Sequence, residues 1–144
     1  MAACEAPPAP PSPTPFVPVA DVQQFMEMAI DSAADVVWES VGTIITAERT
    51  EEIFARSDED WAVVRNNAMV LAEEGNLLML GDRAKGEGPW MIMSLALVEA
   101  GTAALEAAEA KDAAAVFAVG EQVYNACETC HVLYWYTNED AVIR

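Results

Sequence analysis

Residues 57–80 read SDEDWAVVRNNAMVLAEEGNLLML, and their apolar side chains recur at intervals of three and four. This interval places them on one face of an α-helix. The resulting stripe consists of Trp61, Val64, Ala68, Leu71, Gly75 and Leu78. Ser57 followed by Asp60 is a helix start signal, because an N-cap hydroxyl accepts a bond from the backbone three residues later. The pattern predicts a long amphipathic helix within a bundle.

Three further segments show helical patterns, at about residues 21–41, 89–110 and 112–136. The first of them has an apolar face made of Val22, Met26, Ala29, Ile30, Ala33, Val37 and Val41. No segment alternates convincingly between polar and apolar side chains over strand length, so residues 42–57 are expected to form an irregular crossover. The sequence therefore predicts an all-α fold, an antiparallel four-helix bundle.

Glycines interrupt at least three of the predicted helices, at Gly75, Gly101 and Gly120. Each costs roughly 1 kcal/mol relative to alanine. Either the chain tolerates this cost, or the glycines allow a close backbone approach or make room for a large group in the core.

The composition limits the function classes. The chain has 144 residues, 53% of them hydrophobic, which is enough for a sizeable core. Its net charge of -17 argues against non-specific binding to nucleic acid or to anionic lipid, and is compatible with a basic protein partner. No apolar run approaches the roughly 18–20 residues of a membrane span. The richest run, residues 90–101, contains Glu99 and is expected to be a buried helix.

The last predicted helix contains Cys127-Glu128-Thr129-Cys130-His131, which is the C-x-x-C-H signature of covalent c-type haem. Two thiols three residues apart on a helix share a face, so both can form thioethers with one porphyrin. The adjacent His131 can then bind the iron as the proximal ligand. The motif predicts one haem c on Cys127 and Cys130.

Three other uses of the motif are less well supported. A thioredoxin-like dithiol normally belongs to a parallel sheet, and none is predicted. A structural zinc site needs four ligands, and Cys4 is the one further cysteine or histidine in the chain. A structural disulfide is conceivable but would serve no evident purpose.

Residues 111–135, KDAAAVFAVGEQVYNACETCHVLYW, resemble the last helix of class II c-type cytochromes, the cytochrome c′ family. In that family the haem motif lies near the C-terminus, as it does here. The resemblance is specific over about 25 residues and architectural over residues 20–136. It implies a four-helix bundle with a C-terminal haem-attachment helix. The residues of this helix themselves predict an apolar stripe that continues through the motif and faces the core, made of Val116, Phe117, Gly120, Val123, Tyr124, Cys127, Cys130 and Tyr134.

Two positions depart from the family pattern. The family commonly has C-H-x-x-Y-R, and here Tyr134 matches whereas Trp135 replaces the arginine. Val22 stands where the family often has an arginine, four residues before Met26. Both changes make the expected haem surroundings less positive.

The sixth iron ligand cannot be a second histidine of this chain, because His131 is the only one. The resemblance implies that the distal residue lies on the first helix, as a methionine or as an apolar blocker over five-coordinate iron. Met26 is expected to face the core and Met28 to face solvent, so Met26 is the candidate ligand. Met26 as plain core packing and Phe25 as a blocker remain the alternatives. The other methionines (Met69, Met79, Met91 and Met93) are expected in the core, and Glu73-Glu74 on a solvated face.

Seven of the eight prolines precede residue 20, which predicts a proline-rich tether over residues 1–20 and a haem-binding bundle over residues 21–144. Met1-Ala2-Ala3-Cys4 resembles the end of a bacterial lipoprotein signal, although Met1 stands where that signal has leucine. Cys4 is thus a candidate lipidation site that would tether the protein to a membrane, or else an incidental free cysteine.

Together these observations predict a periplasmic monohaem cytochrome that is not an enzyme and carries single electrons to a redox protein partner. The alternative is a five-coordinate protein that binds nitric oxide or carbon monoxide. A non-redox structural bundle is disfavoured by the haem motif, and a homodimer remains open.

Overall fold

The computed structural model describes residues 15–136, which are mostly helical with one small β-hairpin. The first helix, residues 22–39, runs without a break through three pieces, of which the middle one is π-helical. Its pieces are α1 (Val22–Phe25), a π-helical turn (Met26–Ile30) and α2 (Asp31–Glu39). The remaining elements are β1 (Gly42–Ile45), β2 (Thr50–Ile53), α3 (Asp58–Leu78), a 3₁₀ turn (Gly81–Arg83), α4 (Pro89–Glu109) and α5 (Ala113–Tyr134).

The helices begin where their capping residues predict. Asp21 and Gln24 bond each other's backbone N–H groups, and Ser57 and Asp60 do the same at the start of α3. Asp112 accepts a bond from the backbone of Ala115 at 3.0 Å, which starts α5. These side chains satisfy N–H groups that lack partners within the helix, so the predicted starts are confirmed.

The predicted irregular crossover is wrong over residues 42–53, which form an antiparallel hairpin with Gly42 opposite Ile53. Its β-branched residues favour extended backbone, and the Thr46 hydroxyl organises the turn by accepting bonds from the backbone of Glu48 and Arg49. Both faces of the hairpin are largely exposed. A strand without a buried face needs no polar–apolar alternation, so the sequence pattern did not reveal it.

Two glycines bring α3 and α4 together as antiparallel neighbours. A Cβ atom on Gly75 would lie 2.9 Å from the backbone oxygen of Ser94, and one on Gly101 would lie 2.5 Å from the backbone nitrogen of Ala72. At both positions the obstacle includes the backbone of the neighbouring helix. Close helix approach therefore explains these glycines.

We expect Gly101→Ala to destabilise the fold, because the added methyl must push the α4 backbone away from α3. The expected loss is about 1–3 kcal/mol of unfolding free energy, the usual cost of overpacking. Urea unfolding measures it, with the exposed neighbour Thr102→Ala as the control. Equal stability of Gly101→Ala and wild type would show that the helices are not in fact packed this closely.

Two further helix pairs are also antiparallel. The Trp90 and Tyr134 rings meet edge to face at 5.0 Å, which joins the start of α4 to the end of α5. The Trp38 Nε1–H group donates to the Gly120 carbonyl oxygen at 3.0 Å, which joins the end of the first helix to the first half of α5. The largest fully buried side chains (Trp90, Leu71, Val22, Val37, Val116 and Val123) come from all four helices.

The α4 helix, Pro89–Glu109, is long and apolar enough to cross a membrane by length and composition, and it alone passes that test within the described residues. The expectation that no run reaches this length therefore needs correction. About 39% of its most apolar stretch is buried inside the protein. Trp90, Leu97 and Ala104 are among its buried residues, whereas Ile92 and Leu95 are exposed, so the expected buried helix is buried on one face only.

Several burial predictions are wrong. Phe117 and Tyr124 of α5 are 67% and 56% exposed, because the buried face of that helix follows Val116, Val119, Val123 and Ala126 instead. Met69 is exposed as well. Glu74, expected on a solvated face, is only 4% exposed.

Residues 1–14 and 137–144 lie outside the described residues. The first of these ranges contains Cys4 and most of the predicted tether.

Candidate functional site

The motif residues Cys127, Cys130 and His131 lie in the last two turns of α5. Residues three and four apart on a helix are neighbours on its surface. Cys127 therefore stands beside both Cys130 and His131. All three are partly buried, and all three line one cavity.

This cavity lies among all four helices. Its volume is about 50 Å³, and most of its surface is apolar. Met26 lies on its wall together with the three motif residues, so the structure brings all four candidate iron and haem residues to one place. The remaining lining residues are Ile30, Asp31, Leu78, Met93, Ser94, Leu97 and Ala126.

The wall contributed by the first helix is its π-helical turn. Here the backbone N–H of Asp31 donates to the carbonyl oxygen of Met26, five residues earlier. The wider turn places Met26, Ile30 and Asp31 on the same cavity wall. Single π-turns within α-helices occur frequently at functional sites.

Both motif thiols favour the protonated form. Burial raises the pKa of Cys127 to about 11, with smaller contributions from the neighbouring Cys130 and Asp31. Burial also raises the pKa of Cys130. A catalytic dithiol needs the opposite, a lowered thiol pKa, because the thiolate is the nucleophile. The environment thus disfavours thioredoxin-like exchange.

The imidazole of His131 is held toward its neutral form. Burial lowers its pKa, and the negative charges of Glu128 and Asp31 oppose that shift. A neutral imidazole has a free nitrogen lone pair, which metal ligation requires. The Trp135 ring stands edge to face on His131 at 4.9 Å between centroids. An aromatic ring therefore covers the histidine at the position where the resembled family has a cation.

The three residues of the first helix considered for the distal position differ in their burial and surroundings. Met28 is 76% exposed, as expected, and Met26 is partly buried against the core. Phe25 is buried, but its ring lies under the Arg83 guanidinium at 4.2 Å and does not line the cavity. The blocker role considered for Phe25 therefore has no support from its position.

Sequence reasoning missed Met93, Ser94 and Asp31 as wall residues. The sequence predicts Met93 as an ordinary core residue like the other methionines, and Leu97, one turn later on the same helix, lines the cavity as well. Met93 could have been predicted from the topology, because the start of an antiparallel α4 must lie beside the end of α5, which contains the motif. Met93 is a second thioether at the cavity.

The donor set fits a covalent haem, with two thiols, one neutral imidazole and a thioether on the facing wall. The cavity itself is small for such a group. Its volume is about 50 Å³, whereas pockets for larger ligands measure roughly 300–1,000 Å³. A porphyrin would require its walls to move. Met26 and Met93 have flexible side chains suited to such movement. Within residues 15–136, no three His, Cys, Asp or Glu side chains are grouped to hold a bare metal ion.

No protein-family model matches the chain, and comparisons with curated proteins and with solved structures give no match either.

Proposed function

We propose that this protein is a monohaem c-type cytochrome that carries single electrons. The observation that carries the proposal is the shared cavity: both thiols of the C-x-x-C-H motif, its histidine and Met26 line one apolar space. In this assignment Cys127 and Cys130 hold the haem covalently, His131 is the proximal ligand and Met26 is the distal ligand.

The proposed architecture is an antiparallel four-helix bundle whose last helix attaches the haem. The antiparallel contacts of α3 with α4, of α4 with α5, and of the first helix with α5 support it. In such bundles cofactor sites are built in the core from side chains on facing helices. The cavity between Met26 and the motif has this arrangement.

Each group of residues has a distinct task in the proposal. A haem bound here would supply an iron that alternates between the ferric and ferrous states. Cys127 and Cys130 fix its position, His131 offers a neutral nitrogen and Met26 offers a soft thioether. Ile30, Leu78, Leu97 and Ala126 give this space apolar walls. Asp31 is the one carboxylate on the wall, and it is exposed at the surface.

Electron transfer is favoured over gas binding because of where Met26 lies. A five-coordinate gas-binding site needs an open distal position, whereas the Met26 side chain lines the motif cavity from the facing first helix. The proposal extends to export into the periplasm, since covalent haem is attached outside the cytoplasm. It also includes a redox partner with a basic docking surface, given the charge of -17.

Haem attachment tests the proposal directly. Expressed with a c-type haem attachment system, the wild-type chain should gain the mass of one haem and keep its colour after acid–acetone extraction. Cys127→Ser combined with Cys130→Ser should lose both properties completely. Cys4→Ser, which changes the cysteine outside the motif, is the matched control and should retain the haem.

His131→Ala should keep the covalent haem but change its spectrum strongly, because the proximal imidazole is gone. A wild-type chain that never gains the mass of a haem would overturn the proposed function. Retention of the haem mass by the double serine variant would overturn the assignment of the two cysteines.

A further inference from the structure

Among the described residues, the guanidinium of Arg83 is buried without an ion-pair partner. Arg83 is only 5% exposed, and its Nε has no hydrogen-bond partner. Its Nη2 donates to the Ala20 carbonyl oxygen over a long 3.4 Å. The ion pairs of the described residues are Arg49 with Glu51 and Lys111 with Asp58, and Arg83 takes part in neither. Buried cations in proteins normally have an anionic partner.

Aromatic rings account for only part of this environment. The Arg83 guanidinium carbon lies 4.2 Å from the centroid of the Phe25 ring and 5.4 Å from that of Phe16. Ring faces attract the cation but leave the N–H groups in its plane without acceptors. The two rings therefore hold the guanidinium in place, while its Nε–H group has no acceptor.

Arg83 also lines a groove that is separate from the motif cavity. The groove measures about 350 Å³ and lies between residues 18–24 and residues 82–85. Lys85 is a second cation on its wall, and Gln24 adds an amide. Asp21 and Asp82 line it too, and an Asp21 oxygen accepts the backbone N–H of Gln24 at 2.8 Å.

We propose that this groove binds a carboxylate group, with Arg83 and Lys85 as its cationic partners. A guanidinium presents paired N–H donors that match the two oxygens of a carboxylate, and Lys85 adds a point charge. The two aspartates disfavour highly charged anions, so a monoanionic carboxylate suits the groove better than a phosphate dianion. None of its lining residues is among those that line the motif cavity.

The carboxylate has two conceivable sources, a free organic acid or a propionate of the proposed haem. Sodium acetate is the probe, titrated at constant ionic strength against sodium chloride and followed by the Nε–Hε NMR signal of Arg83. Arg83→Lys identifies that signal by its loss. We expect a saturable shift with acetate and none with chloride.

Variants test which side chains bind acetate, and a comparison of haem-carrying with haem-free protein distinguishes the two carboxylate sources. Lys85→Gln, an exposed residue, should weaken acetate binding several-fold, whereas Arg65→Gln, an exposed arginine of α3, should leave it unchanged. A shift in both the haem-carrying chain and the haem-free Cys127→Ser/Cys130→Ser chain indicates a free acid. A shift in the haem-free chain alone indicates that a propionate fills the groove. If neither form shows a saturable shift, the carboxylate site is wrong, whatever the outcome for haem attachment.

Discussion

Met26→Ala should turn a closed, low-spin haem site into an open one. With the Met26 sulfur on the iron, the oxidised protein should be low-spin and show the weak far-red band of sulfur-to-iron charge transfer. Methionine ligation also raises the reduction potential, because a soft neutral thioether favours the ferrous state. Removing the thioether should abolish the band, lower the potential and let carbon monoxide bind. Absorption spectra of both oxidation states, with and without carbon monoxide, measure these changes.

Met28→Ala is the matched control for that experiment. It removes the same side chain two residues away, where the methionine is 76% exposed and faces away from the core. Its spectra should equal those of the wild type. Met93 lines the same cavity, so Met93→Ala tests whether the second thioether substitutes for the first. A wild-type protein that is already high-spin and binds carbon monoxide readily would make Met26 a packing residue and favour the gas-binding alternative.

Local signals carried most of what could be predicted from the sequence. The capping pairs Asp21–Gln24 and Ser57–Asp60 act over three residues, and both form as predicted. The apolar stripe of α3 depends on helical spacing alone, and all six of its residues are buried. The C-x-x-C-H spacing likewise places its thiols and histidine on one helix face before any tertiary contact is known.

Features that depend on which helices meet could not be predicted in the same way. The spacing of Phe117 and Tyr124 is compatible with the inner face of α5, but the helix is rotated so that Val119 and Ala126 point inward instead. Met93 belongs to the site only because α4 begins beside the end of α5. The π-helical turn at Met26 also has no sequence signal, since its residues read as ordinary helix.

The burial of Glu74 also could not be predicted from the sequence, and it has a measurable effect on stability. Its carboxyl belongs to an acidic pair, yet it is buried on α3 with Oε2 lacking a hydrogen-bond partner. Burial raises the pKa of Glu74 from 4.5 to about 7, and no neighbouring charge contributes to that shift. The adjacent Glu73 is exposed and accepts a bond from the Asn76 amide at 3.4 Å. Two consecutive glutamates therefore have opposite environments.

The raised pKa of Glu74 makes the folded protein less stable as pH rises. Below about pH 4.5 the carboxyl is protonated in both states, so it has no effect on the free energy of unfolding. Between pH 4.5 and about 7 the unfolded chain releases the proton first, and stability falls across that window. The full loss above pH 7 corresponds to about 3 kcal/mol, at 1.36 kcal/mol per pKa unit.

We expect Glu74→Gln to recover most of this loss, because the amide resembles the protonated carboxyl and does not ionise. The free energy of unfolding of variant and wild type is measured with urea at pH 5 and at pH 8. Subtracting the wild-type value from the variant value at each pH cancels the charge repulsion common to both proteins, whose net charge is close to -17. The variant should gain about 2–3 kcal/mol relative to wild type at pH 8 and far less at pH 5. Glu73→Gln removes the same formal charge at the surface and should change stability little at either pH. Equal pH dependence in Glu74→Gln and wild type would show that Glu74 ionises freely and is not buried as the fold places it.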